Sequence, residues 1–277
     1  MNNYDGGSSV RVAAIQMTST EDVERNLQTA LRLTERAARD GARLIALPEA
    51  FAVLSPTRGK FEVAEELPAG GPILARFSEC ARKHECELVL GGFWERGRTP
   101  ERVRNSCVHL TSDGAVRAVY RKIHLFDVDL PDGTKLQESA SVEPGSEVVV
   151  TDTIAGKLGL SVCYDLRFPA LFRQLVRRGA TLLTVPSAFT LTTGKDHWHV
   201  LLRARAIESQ CYVIAPAQTG CHFGSRVSYG HALICDPWGT VLAECGEGEG
   251  YALATVNHEV TQRIRRSLPN LDHAVLD

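Results

Sequence analysis

The sequence predicts an α/β fold built on mixed sheets. Short apolar runs of strand length alternate with amphipathic segments of helical period, the pattern of helices packed on sheets. Hairpins stand among the strand-helix-strand crossovers, which argues for mixed rather than purely parallel sheets. The second half of the chain replays the element order of the first, with no residue-level repeat. Two sheets packed face to face with helices outside satisfy these observations, a choice that periodicity alone leaves open.

Val10 to Met17 reads as the first strand, and Thr20 to Asp40 as a helix with Val23, Leu27, Ala30, Leu31 and Ala37 on one face and Gly41 as its stop. Ala42 to Leu47 is a second strand, Gly71 to Glu85 a second helix through Ile73, Leu74, Phe77 and Ala81, and Glu87 to Trp94 a third strand. Ser106 to Leu110 and Ala115 to Tyr120 form a hairpin around Ser112-Asp113-Gly114. Ile123 to Ser146 is irregular, and loops of that length are commonly functional. In the second half, Val148 to Thr153 and Leu158 to Val162 pair across Ala155-Gly156. A helix follows from Pro169 to Arg178, a strand from Thr181 to Val185, a helix from Lys195 to Gln210 and a strand from Cys211 to Ala217. Strands at Gly230 to Cys235, Thr240 to Glu244 and Tyr251 to Asn257 precede a helix from His258 to Ser267.

The 277 residues fit one domain spanning residues 10–277 behind a loose tail at residues 1–9. Lys plus Arg at 31 against Asp plus Glu at 33 leave a net charge of −2, so nothing electrostatic draws the chain to nucleic acid or an anionic membrane. No apolar run approaches the roughly 20 residues of a membrane span, and the N-terminus has no signal-peptide pattern. A soluble cytoplasmic protein is expected. Its 8 cysteines stand singly, without a C-x-x-C pair, and in a reducing compartment most are expected to be small buried hydrophobes. His197 and His199 flank Trp198, but on a helix that spacing does not put two ligands on one face, so no metal site is expected there.

Cys163 departs from that pattern. It ends the apolar run Leu158 to Val162, and the next helix opens directly after it, the place where open α/β sheets put their ligand sites. Glu49 follows Leu44 to Pro48, and Lys122 follows Ala118 to Arg121. A carboxylate, an ammonium and a thiol, each at a strand end, suggest one pocket for acyl transfer. At a reference pKa near 8.5 roughly 3% of a thiol is ionised at pH 7, so complete ionisation supplies only about 30-fold. An oxyanion donor is worth about 100- to 1000-fold, which makes a cation beside the developing charge the larger contribution. Lys122 is the candidate for that cation, against the ordinary reading of a surface lysine. Glu49 is the candidate base, against the ordinary reading of a helix cap. Its apolar neighbours Leu47, Pro48, Ala50 and Phe51 raise its pKa while a nearby Lys122 lowers it, a sum the sequence leaves open.

Leu47-Pro48-Glu49, the run from Tyr120 to Asp127, and the run from Gly159 to Pro169 resemble, in order, the three signature blocks of the nitrilase superfamily, the carbon-nitrogen hydrolases. The likeness covers roughly residues 10 to 270. It implies a four-layer αββα sandwich, commonly assembled as a homodimer or higher homo-oligomer. It also implies a Glu-Lys-Cys triad at Glu49, Lys122 and Cys163, with Glu138 as the further glutamate beside it. In the implied mechanism Cys163 attacks an amide carbonyl, and Lys122 with the backbone N–H of Tyr164 holds the oxyanion. Glu49 moves the protons, and a thioester is hydrolysed to acid plus ammonia without metal or organic cofactor.

Leu191 to Trp198, Arg203 to Glu208 and Asp236 to Gly239 are similar to the amidase branch that contains ω-amidase and deaminated-glutathione amidase. Ala217 to Gly220 with Ser228 to His231 leans toward the latter, while Leu191 to Gly194 also resembles the ω-amidase form. Both act on small 2-oxo amides that carry a carboxylate, so Arg167, Phe189, Thr192, Thr193, His222 and Arg226 are expected to bind substrate. Two rival readings stand beside this one. An α/β-hydrolase with a cysteine nucleophile would pair Cys163 with Asp236 and His258. A non-catalytic binding protein on the same scaffold would not need all three triad positions.

Overall fold

The computed structural model describes residues 9–56, 58–129 and 135–275. In chain order the elements are β1 (Ser9–Met17), α1 (Val23–Arg39), β2 (Leu44–Leu47), the single turn α2 (Gly59–Glu62), α3 (Pro72–His84), β3 (Glu87–Arg96), β4 (Val103–Leu110) and β5 (Val116–Arg121). After the short pair β6 (Asp127–Asp129) and β7 (Lys135–Gln137) come β8 (Val150–Thr153), β9 (Gly156–Leu160), α4 (Pro169–Arg177), β10 (Leu182–Thr184), α5 (Leu191–Ser209) and β11 (Tyr212–Ala215). The chain then runs through β12 (Ala217–Phe223), β13 (Arg226–Tyr229), β14 (Leu233–Cys235), β15 (Val241–Glu244), β16 (Gly250–Asn257) and α6 (His258–Ser267).

Two large mixed sheets result. One runs β13-β12-β1-β2-β3-β4-β5, with β16 also paired to β1; the other runs β15-β14-β11-β10-β9-β8. The alternation along β1 shows how they stack. Val12 and Ala14 enter a core shared with Leu158, Leu160, Leu182 and Ile214 of the second sheet. Ala13, Ile15 and Met17 face the other way, against Leu27, Leu33 and Phe77 of α1 and α3. On the second sheet, a Cβ at Gly159 would meet Leu175 of α4 at 3.0 Å, so α4 covers the face turned away from the first sheet. The architecture is the αββα sandwich that the sequence left open. Burial of each large aliphatic or aromatic side chain in these layers contributes about 1.5–3 kcal/mol.

Several boundaries differ from the sequence expectation. Ser9 already belongs to β1, while residues 1–8 of the expected tail lie outside the described residues. The first helix starts at Val23 because the Asp22 carboxylate accepts the Arg25 N–H at 3.0 Å. The helix expected from Lys195 starts at Leu191, capped by the Thr190 side chain, so Thr192 and Thr193 lie in its first turn. The irregular stretch from Ile123 holds β6, β7 and a 3₁₀ turn at Glu138–Ala140. The β12–β13 hairpin was not anticipated: Gly220 breaks the apolar run and the turn carries Gly224.

Candidate active site

The parallel strands β2, β9 and β10 and the antiparallel β5 all deliver their C-terminal ends to one place. Glu49 stands two residues beyond β2, Lys122 directly beyond β5, and Cys163 three residues beyond β9. The expected strand end at Val162 is thus an extended tail, after which the chain turns into a 3₁₀ segment at Cys163–Arg167. Cys163 has φ +50°, a left-handed conformation that costs a non-glycine residue about 1 kcal/mol or more. Two partners hold it. The Cys163 N–H donates to the Pro186 carbonyl at 2.9 Å, and the Val162 N–H donates to Asp165 Oδ2 at 2.9 Å.

Asp165 is fully buried and also ties the turn to the lysine segment. It accepts from the Tyr120 hydroxyl at 2.7 Å and from the His124 N–H at 3.1 Å, and His124 Nδ1 lies 2.7 Å away. His124 stacks on Phe168 with ring centroids 3.7 Å apart. The thiol and the ammonium are therefore fixed to each other through one carboxylate between residues 120 and 168. Gly91 and Gly92 in β3 give the remaining clearance. A Cβ at Gly91 would lie 2.1 Å from Pro186, and one at Gly92, where φ is +58°, would lie 2.6 Å from the Glu49 Cα.

The three expected catalytic side chains meet. Lys122 Nζ donates to Glu49 Oε1 at 3.0 Å and to Glu138 Oε2 at 2.8 Å, and the Cys163 thiol hydrogen-bonds the Glu49 carboxylate. Asn105 Nδ2 bridges the two glutamates at 2.9 and 3.1 Å. The second Glu49 oxygen accepts the Ala188 N–H at 2.9 Å, and Glu138 Oε2 accepts the Phe126 N–H at 2.7 Å. Burial pushes Glu49 up, but the Lys122 charge with hydrogen bonds from Cys163, Asn105 and Lys122 outweighs it, and the carboxyl lies below its ordinary range. Burial would lower Lys122, yet the charges of Glu138 and Glu49 hold it well above its usual value. Burial and the Glu49 charge push the Cys163 thiol up despite Lys122. The resting site is an ionised acid, a charged lysine and a protonated thiol aimed at its base. Such a set can move a proton from sulfur to carboxylate as the sulfur attacks a carbonyl beside a fixed cation.

The expected substrate residues divide into two groups. Arg226 Nη2 donates to the Ala188 carbonyl at 2.8 Å and its charge is felt at Cys163 and Glu49. Arg167 lies over the Phe189 ring at 5.2 Å and over the ring of Tyr164, the residue after Cys163, at 5.9 Å. Thr192 and Thr193 sit at the start of α5, where Thr193 is engaged with the capping Thr190. His222 has both ring nitrogens engaged inside the protein, Nδ1 with the Ser19 carbonyl at 2.7 Å and Nε2 with Ser228 Oγ at 2.8 Å. Burial lowers its pKa to about 4, so it is neutral.

Sequence reasoning missed Asn105, the role of Asp165, and Lys60. Asn105 carried no sequence signal, because it stands between Arg104 and Ser106 in β4, a strand of mixed polarity. Lys60 on α2 donates to Ser141 Oγ at 2.5 Å and lies 5.7 Å from the Trp94 ring centroid, a partly buried cation near Glu138. The rival α/β-hydrolase arrangement is absent. Asp236 caps the turn between β14 and β15 through the Trp238 and Thr240 N–H groups. His258 Nδ1 is 4.0 Å from a Cβ placed at Gly156, the opposite end of β9 from Cys163 and roughly 20 Å along the strand.

A two-sheet sandwich with this convergence of acid, lysine and thiol defines a class, and the chain belongs to it: the carbon-nitrogen hydrolase family model matches residues 11–266. The protein is an amidase, a hydrolase acting on C–N bonds. Within the family it is 45% identical over 268 residues to the deaminated glutathione amidase of Synechocystis sp., covering 95% of this chain and 97% of that one. It is 47% identical over 266 residues to the deaminated glutathione amidase of Homo sapiens, covering 95% and 81%. It also resembles the crystal structure of Saccharomyces cerevisiae Nit3, a member of branch 10 of the nitrilase superfamily. The TM-score is 0.83 at 32% identity, with 94% of each chain covered.

Proposed function

We propose that the protein hydrolyses deaminated glutathione through a thioester on Cys163. The observation that carries the chemistry is the single contact network in which Glu49 touches both the thiol and Lys122. The similarity to relatives named for that substrate supports the choice. Sγ bonds to the amide carbon as its proton passes to Glu49, and the carbonyl electrons move onto oxygen beside Lys122 and the Tyr164 N–H. The intermediate collapses, the C–N bond breaks, and Glu49 returns the proton to the departing amine. Water, deprotonated by Glu49, then attacks the thioester and frees the acid and the thiol. Asn105 and Glu138 hold Lys122 and Glu49 in register as positioning residues. In deaminated glutathione the amide nitrogen belongs to cysteinylglycine, so the amine released is that dipeptide, whereas α-ketoglutaramate, the ω-amidase substrate, releases the ammonia expected from the sequence. Arg226, Arg167 and Lys60 supply cations for the substrate's two carboxylates, and Phe189 supports the Arg167 guanidinium.

A substrate panel tests this reading. With turnover read as 2-oxoglutarate for the two 2-oxo amides and as ammonia for simple aliphatic amides and nitriles, kcat/KM is expected to be at least 10-fold higher for deaminated glutathione than for α-ketoglutaramate, with the aliphatic amides and nitriles lower still. A reversed order would make the protein an ω-amidase, and no turnover of any amide would remove the proposal.

The same proposal places the enzyme in the cytoplasm as a single-domain subunit of a homodimer. Among the described residues no helix is long and apolar enough to cross a membrane. Val200 and Ile207 on α5 and Trp238 and Leu242 around the β14–β15 turn are exposed apolar side chains, the kind of surface a dimer covers. Sedimentation equilibrium is expected to give twice the chain mass, and Trp238→Lys to shift it toward the monomer. A monomeric native protein at micromolar concentration would contradict the dimer.

A further inference from the structure

Outside the triad, three metal-ligating side chains turn onto one point. They are His199 on α5, His231 in the connection from β13 to β14, and Glu244 at the end of β15. His199 Nε2 lies 2.9 Å and His231 Nδ1 2.6 Å from the same oxygen, Glu244 Oε1. Ligand atoms of all three lie within 4.8 Å of one another. His197, the other half of the H-x-H pair, points elsewhere and meets Arg167 at 3.2 Å. An H-x-H pair on one helix does not turn two ligands to one face; the cluster instead joins α5 to the β13–β14 connection and to β15.

His231 is held in a way that a surface hydrogen bond does not require. Its φ is +59°, a strained conformation for a non-glycine residue. Trp198 Nε1 donates to its carbonyl at 2.8 Å, and its ring stacks on Tyr229 with centroids 4.4 Å apart and 28° between planes. The imidazole is thereby aimed before any ligand arrives. In the single chain the side chains of the trio are 31% to 32% accessible, so an ion can enter and keep a water in a fourth position.

We propose that His199, His231 and Glu244 bind a divalent transition metal, Zn²⁺ by preference. Two imidazoles and a carboxylate with an open fourth position are a donor set that suits zinc. Bonds of about 2.0–2.2 Å place tetrahedral ligand atoms about 3.3 Å apart. The two nitrogen–oxygen separations reach that spacing by opening less than an ångström. At each imidazole the N–H proton that faced Glu244 moves to the other ring nitrogen by a tautomer shift, and the ion replaces two hydrogen bonds with three coordinate bonds. It clips α5, which begins three residues after the Ala188 whose N–H bonds Glu49, to the hairpin that carries the exposed Trp238.

Calorimetric titration of EDTA-treated protein with ZnCl₂ tests the site, in a Cys221→Ala background because that exposed thiol is a competing ligand. One ion per chain with a dissociation constant of about 1 µM or tighter is expected, with a rise in melting temperature. His231→Asn, which tolerates the left-handed backbone, and Glu244→Gln, which keeps the shape, should each weaken binding at least 10-fold. Co²⁺ should give a visible spectrum of nitrogen and oxygen ligation without a thiolate charge-transfer band. Binding no tighter than millimolar, binding unchanged in both variants, or a thiolate band would each overturn the site and leave a hydrogen-bonded trio only.

Discussion

Cys163→Ala is expected to reduce turnover by about 10⁴-fold or more while leaving the protein folded. Loss of a covalent nucleophile removes the whole two-step route, and the remaining groups have only orientation and oxyanion stabilisation to offer. The packing cost is small. The sulfur is buried, but the same residue holds a strained φ of +50° that alanine adopts no worse. A change of about 1 kcal/mol or less is anticipated, a shift of only a few degrees in melting temperature for a chain of this size. In the native enzyme, rapid acid quench of a reaction with deaminated glutathione should trap an acyl group on Cys163. The peptide carrying Cys221, the exposed thiol, serves as the control for adventitious acylation. Retained activity in Cys163→Ala, or an acyl adduct confined to another cysteine, would end the nucleophile assignment.

Lys122→Met should lower kcat by about 100- to 1000-fold, the worth of one oxyanion donor. It also removes the only cation that bonds both Glu49 and Glu138 among the described residues, leaving one buried and one partly buried carboxylate joined by Asn105. Breaking a buried ion network from one side costs about 3–5 kcal/mol, so melting should fall by roughly 10 °C. One carboxylate relieves the repulsion by keeping a proton, which raises its folded pKa above the unfolded value. The variant's deficit is therefore smallest at acid pH and grows as pH rises through that raised folded pKa. The acid limb of kcat/KM should move to higher pH for the same reason, because Lys122 no longer holds Glu49 down. A purely structural lysine would show the melting loss with kcat unchanged at a temperature where the variant is folded. A rise in KM alone would make Lys122 a binding residue.

Much of the triad was readable because strand ends are readable. An apolar run stops where the chain leaves the sheet, and the polar residue just past the stop is displayed at the edge. Glu49, Lys122 and Cys163 each announce themselves that way. Asn105 does not, since it sits inside β4 and its role appears only when residue 49, 56 positions away, is brought within hydrogen-bonding distance. Asp165 was visible as part of a motif, but its partners Tyr120 and His124 lie 45 and 41 positions away. His222, read from the sequence as a substrate residue, has its two ring nitrogens engaged by Ser19 and by Ser228 of the β12–β13 hairpin, contacts that exist only in the folded chain.

The sequence by itself determined the alternation of strands and helices, the candidate reactive groups and the family to which the chain belongs. Each rests on patterns of about a dozen neighbouring residues or fewer, the family on three such blocks in order. The tertiary structure alone decided how the two sheets stack, the ionisation of Glu49, and which polar groups meet across the sheets, including the His199, His231 and Glu244 cluster. The physical reason is that side-chain period is a local property of the backbone. Distances and electric fields between groups, such as the 3.0 Å contact between Lys122 and Glu49 over a separation of 73 residues, exist only once the chain has closed on itself.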